Sequence, residues 1–140
     1  MRIELSKEQY HKLVRLVMAG NWLINAHRAG DQIIEEYEKI EQHIFSFYMR
    51  YDAENIINFD EEHSHFYPTK ELEEEVMELS NDYDEKTFWD GLVSKMAEKE
   101  AIKKCSNPTI EQIWKLQDKY SDEFEANGLE RLKIDWKENV

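Results

Sequence analysis

Gly20-Asn21-Trp22-Leu23-Ile24-Asn25-Ala26-His27-Arg28-Ala29-Gly30-Asp31 is the stretch that decides the fold. It brings one helix to its end and turns the chain back into the next. An α-helix advances about 100° per residue, and on that wheel Tyr10, Leu13, Val14, Val17 and Ile24 share one face. Gly30 is a helix stop and Asp31 a cap for the second helix. Beyond it, Ile33, Tyr37, Ile40, Ile44, Tyr48 and Tyr51 recur at helical spacing. A link this short makes the two helices, over about residues 7–29 and 31–51, an antiparallel hairpin.

The same stretch carries polar residues where a core helix should be apolar. Asn21 and Arg28 fall in the middle of the apolar face, and Asn25 lies near its edge. An unpaired buried polar group costs about 1–3 kcal/mol, so each of these needs a partner. In a hairpin turning at Gly30, residues whose numbers sum to about 60 lie level with one another. Asn21 then faces Lys39 to Glu41, and Glu41 is itself a polar intruder beside Tyr37, Ile44 and Tyr48. Gly20 lets the backbones come close at that level. Two readings are open. In one, Glu41 accepts from Asn21 and Arg28 finds an acid such as Glu36, forming a structural clasp. In the other, Asn21, Asn25, Arg28 and Glu41 line a small ligand pocket walled by Trp22 or Tyr37.

Outward from the hairpin, Ser6 with Gln9 has the spacing of a capping box at the start of the first helix. Ile3 and Leu5 alternate with polar neighbours, as do Leu132, Ile134 and Trp136. This predicts a short two-stranded ribbon from the termini. The periodicity breaks down from Asp52 to Pro68, where Ile56, Ile57 and Phe59 form a helical turn or anchor a loop. Thr69 then caps a third helix with Leu72, Val76, Leu79 and Tyr83 as its inner stripe. Asp82 or Asp84 opens a fourth, with Phe88, Trp89, Leu92, Val93 and Met96. Thr109 and Gln112 repeat the capping-box spacing ahead of a fifth, with Ile113, Trp114, Leu116, Tyr120 and Phe124. That fifth helix stops at Asn127-Gly128. Trp89, Trp114, Tyr120 and Phe124 are expected in the core. The expected fold is mostly α, with about five helices in a single domain over 1–140.

The segment Asp60-Glu61-Glu62-His63-Ser64-His65 is the second concentration of chemistry. Carboxylate and imidazole suit zinc or a similar divalent metal, which makes Asp60, His63 and His65 the candidate ligands. His63 and His65, two apart, would share a metal only from an extended segment. The alternative is a solvated acidic loop. A third feature is the acidic run Glu71, Glu73, Glu74, Glu75 and Glu78, which reads as a solvated face or as a mimic of a phosphate backbone.

Composition limits the function. The 140 residues hold 31 acids against 18 basic residues, a net charge of −13. Such a surface disfavours direct binding to nucleic acid or to an anionic membrane. No run approaches the roughly 20 apolar residues of a membrane span, and the start lacks a signal-peptide pattern. Cys105 is the only cysteine, so no intrachain disulfide forms. Gly-rich phosphate loops, nucleophile elbows, HExxH and the paired Glu-x-x-His sets of di-iron bundles are all missing. The expectation is a small acidic cytoplasmic protein of non-enzymatic binding or regulatory type, with no resident cofactor. It would act through a protein partner or by self-association. The alternatives are an acidic decoy for a basic protein, and a metal- or small-ligand-binding protein using residues 60–65 and the polar patch.

Overall fold

The computed structural model describes residues 3–134. Its elements are α1 (Lys7–Asn25), α2 (Glu35–Phe45), β1 (Ile57–Asp60), β2 (His65–Pro68), α3 (Lys70–Lys104) and α4 (Ile110–Asn127). Short 3₁₀ turns occupy Gly30–Gln32 and Tyr48–Tyr51. The fold is mostly α with one small antiparallel ribbon. The chain divides into two compact units, Met1–Asn81 and Asp82–Val140, and α3 contributes to both. Among the described residues, no helix is long and apolar enough to cross a membrane.

In the first unit, Ser6 caps α1 in a complete capping box with Gln9. The helix ends at Asn25, four residues short of the expected stop, and Gly30 adopts a φ of 59° in the connection. The second helix likewise begins later and ends earlier than its periodicity implies. The residues expected to extend it, Tyr48 to Tyr51, wind into a tighter turn, and Asp52 closes that turn in the left-handed region at φ 48°. The hairpin is nonetheless antiparallel. Hydrogen bonds join Asn25 to Ile34, Asn21 to Glu41 and Tyr10 to Ile44, so partner numbers fall on one helix as they rise on the other.

The core of this unit holds Tyr10, Val14, Phe45, Ala53, Ile56, Ile57, Leu72 and Val76. Tyr10 stacks on Tyr51 at 4.4 Å between ring centroids, and its hydroxyl donates to the Ile44 carbonyl at 2.8 Å. Burial pushes that hydroxyl's pKa up to about 12, so it stays a donor throughout the physiological range. Arg15 binds Glu75 through two parallel bonds of 2.8 and 2.7 Å and donates to the His11 carbonyl, tying α1 to the start of α3.

The ribbon lies elsewhere than expected. Residues 3–6 and 132–134 form no strand, and Trp136 lies outside the described residues. Instead β1 and β2 pair antiparallel, with Phe59 opposite Phe66 and Asp60 opposite His65. Two alternating apolar residues at the start of the chain are too short a pattern to specify a strand. Around Phe59, by contrast, a four-residue turn and a cross-strand aromatic pair at 4.6 Å stabilise the ribbon.

The third and fourth expected helices are one, α3. Asp82 and Asp84 suit a helix cap, but aspartate inside a helix costs only about 0.7 kcal/mol. No proline intervenes. Leu72 and Val76 are buried as expected, whereas Leu79 is 63% exposed and Tyr83 nearly as open. In the second unit, Thr109 caps α4 with Gln112. Ala97, Ala101 and Phe124 are buried, and Trp89 and Tyr120 both lie against the Phe124 ring. Trp114, expected in the core, is 55% exposed. Glu100 accepts from both Lys104 and Tyr120, which hold its carboxyl down at about 2, and Tyr120 rises to about 12.

Candidate functional site

The polar patch of α1 and α2 assembles as a ladder of amides. Asn25 Nδ2 donates to Asn21 Oδ1 at 2.9 Å, and Asn21 Nδ2 donates to Glu41 Oε2 at 3.2 Å. Asn25 also grips the backbone of Ile34 from both sides. Its Oδ1 accepts from the Ile34 N–H at 3.0 Å and its Nδ2 donates to the Ile34 carbonyl at 3.2 Å. Ile34 precedes the first turn of α2, so this side chain holds the entry to the second helix. The sequence places Asn21, Asn25 and Glu41 together, and the structure joins them.

Glu41 is the chemically distinctive member. Burial pushes its pKa up to about 7, against the opposing pull of the Asn21 hydrogen bond, and the nearby charge of Glu38 adds to the rise. A carboxyl here takes up a proton close to neutrality, which an exposed glutamate near 4.5 does not. The amides have little capacity left over, since both groups of Asn21 and of Asn25 are engaged within the hairpin.

Arg28 stands apart from the ladder. Its guanidinium turns back one helical turn and donates to the Ile24 carbonyl, and no ion pair to Glu36 forms. That carbonyl is one of those left without a partner at the end of a helix, where a cation is also favoured by the helix dipole. Arg28→Ala is therefore expected to cost less than about 1 kcal/mol, the worth of one cap-like bond. A chemical denaturation series checks this. A loss several times larger would show that the guanidinium holds more than this carbonyl.

The loop between β1 and β2 has a structural order of its own. Asp60 Oδ1 accepts from the backbone N–H groups of Glu62 and His63, and Oδ2 meets His63 Nδ1 at 2.8 Å. These bonds, the His63 ring first, hold the Asp60 carboxyl below its usual range. His65 lies across the ribbon from Asp60, and its ring leans on Tyr67 at 4.7 Å. Among the described residues, no group of three His, Cys, Asp or Glu side chains is placed to hold a metal ion. Of the acidic run at the start of α3, Glu75 is engaged by Arg15.

Two features had no signature in the sequence. Gln42 on α2 grips Phe66 as Asn25 grips Ile34. Its Nε2 donates to the Phe66 carbonyl and its Oε1 accepts from the Phe66 N–H, both at 2.8 Å. The other is an open groove of about 530 Å³ lined by Ile3, Leu5, Tyr10, Leu13, Ile44 and Phe47, among others. Ile44 of its lining shares a face of α2 with Tyr37 and Ile40, which are exposed, Ile40 by 52%. Their helical spacing is visible in the sequence, but nothing there shows that this flank stays uncovered. Comparison with protein-family models, with curated proteins and with solved structures returns no significant match to this chain.

Proposed function

We infer that this is a binding protein of non-enzymatic type that works through a protein partner or a second copy of itself. The observation that carries this reading is the set of exposed apolar side chains on the hairpin, Tyr37, Ile40 and Phe47, beside a groove that Phe47 lines together with Ile3, Leu5 and the half-buried Ile44. Single exposed apolar residues are ordinary on a soluble surface, whereas a contiguous set bordering a groove marks interaction surfaces. The net charge of −13 favours a protein partner that is not itself acidic over a second copy of the chain.

The double substitution Tyr37→Gln with Ile40→Gln tests it. Both side chains are exposed, so helicity and unfolding midpoint are expected to stay within experimental error of the parent. The parent protein should either self-associate in sedimentation at rising concentration or retain a specific protein from an extract of its source cells. The double variant should lose that property. A parent that stays monomeric and retains nothing, or a variant that behaves like the parent, would remove the reading.

A further inference from the structure

We propose that the outer edge of β1, at Phe59, is a strand-addition site for an extended segment rich in Lys or Arg. It is a surface distinct from the hairpin flank. In an antiparallel pair, residues alternate between those that bond to the partner strand and those whose N–H and C=O point away from it. The amide of Gln42 takes both backbone groups of Phe66, so Phe66 points away from β1. Phe59 is its register partner and must therefore point away from β2. The bond from the Thr69 N–H to the Ile56 carbonyl at 2.9 Å keeps the same alternation.

The two edges differ. On the β2 side, Gln42 fills the open position at Phe66, and the next outward residue, Pro68, has no N–H to offer. That edge is closed. On the β1 side, the Ile57 N–H is used by the Ala53 carbonyl at 3.0 Å. The N–H and C=O of Phe59 have no partner among the described residues. Asn58 and Phe59 are both exposed, the latter by 42%. An unpaired donor and acceptor side by side on an exposed edge form a template for another strand.

Charge selects the occupant. Residues 51–69 contain Asp52, Glu54, Asp60, Glu61 and Glu62 and no Lys or Arg. Lys7 meets Asp52, and His63 meets Asp60. Glu54, Glu61 and Glu62 pair with no cation among the described residues. A second copy added at this edge would bring carboxylates against carboxylates, which opposes pairing. A strand carrying Lys or Arg would instead meet these acids while its backbone bonds Phe59. The apolar face of Phe59 and Phe66 favours an aliphatic residue at alternate positions.

The probe is a capped synthetic peptide alternating Lys and Val, of ordinary strand length, about 5–6 residues. Its titration into the full chain is followed by amide chemical shifts. Binding should move the amides of Ile57–Asp60 and weaken as salt is raised. N-methylation of alternate peptide amides, and separately Phe59→Pro in the protein, should each weaken binding about tenfold, the worth of one backbone hydrogen bond. Proline is tolerated where an edge N–H faces solvent, and the N-methylated peptide tests the same bond if that variant does not fold. A Glu/Val peptide should not bind. The proposal fails if the Lys/Val peptide does not bind at low salt, if methylated and unmethylated peptides bind alike, or if the shifts map away from β1. Self-association of the chain through Ile57–Asp60 would also overturn it, since the occupant would then be a second copy. Tyr37→Gln with Ile40→Gln should leave peptide binding unchanged, which separates this outcome from that of the hairpin flank.

Discussion

Phe45→Ala is expected to cost about 3–5 kcal/mol, the range for removing a fully buried phenylalanine. Phe45 is 0% exposed and lies among Tyr10, Val14, Ile57, Leu72 and Val76. The loss has two parts. Transfer of the ring from the core forfeits its burial, and the space left behind costs more because α1, α2 and β1 cannot collapse into it without breaking bonds. The Tyr10 hydroxyl limits that collapse directly, since it donates to the Ile44 carbonyl and, at 3.4 Å, to that of Phe45. Domains of this size are stable by only about 5–15 kcal/mol, so the variant should unfold at a much lower urea concentration. A midpoint shift worth under about 1 kcal/mol would mean that the core around residue 45 is looser than its burial indicates.

Glu41→Gln is expected to stabilise the protein, and to do so only above mildly acidic pH. The folded state raises the Glu41 pKa to about 7 from 4.5. Below about pH 4.5 the carboxyl is protonated whether the chain is folded or not, and the site costs nothing. As pH rises from there through 7, the unfolded chain ionises freely while the folded one resists, so stability falls. Above about pH 7 the full penalty remains, about 1–3 kcal/mol. Glutamine cannot ionise, and its amide oxygen still accepts from Asn21. The variant should therefore unfold at a higher temperature than the parent at about pH 8, by about 2–4 °C per kcal/mol, and the two should converge near pH 4.5. Thermal scans at both pH values decide it. A gain that is the same at both would show that charge is not the cause.

The Asn21 to Glu41 contact is legible in the sequence because a hairpin converts distance along the chain into height along two helices. Once Gly30 marks the turn, an amide on one helix and an acid on the other must meet at a level that counting residues gives. Arg28 is not legible in the same way. Its wheel position is the same on a continuing helix and on one that ends at Asn25, and only the early end frees the Ile24 carbonyl for it. Gln42 leaves no trace, since a glutamine on a helix is an ordinary surface residue until a strand passes beside it. The expected division of α3 into two helices fails on punctuation: acids that suit a helix start are also tolerated inside one. Leu79 and Tyr83 show the converse limit, because periodicity reports which face a residue lies on and says nothing about whether anything covers that face.

Asn25 and Gln42 use one device, a primary amide that serves as both donor and acceptor to a single backbone residue. Side-chain amides are among the groups that hydrolyse slowly with heat and age. Deamidation of either would keep the acceptor and lose the donor, setting a carboxylate oxygen against the carbonyl of Ile34 or of Phe66. In a chain with 31 acids such a change would hardly alter its charge, yet it would release the entry of α2 or the anchored edge of the ribbon. The loss of one side-chain nitrogen would thus loosen the first unit while leaving its net charge nearly unchanged.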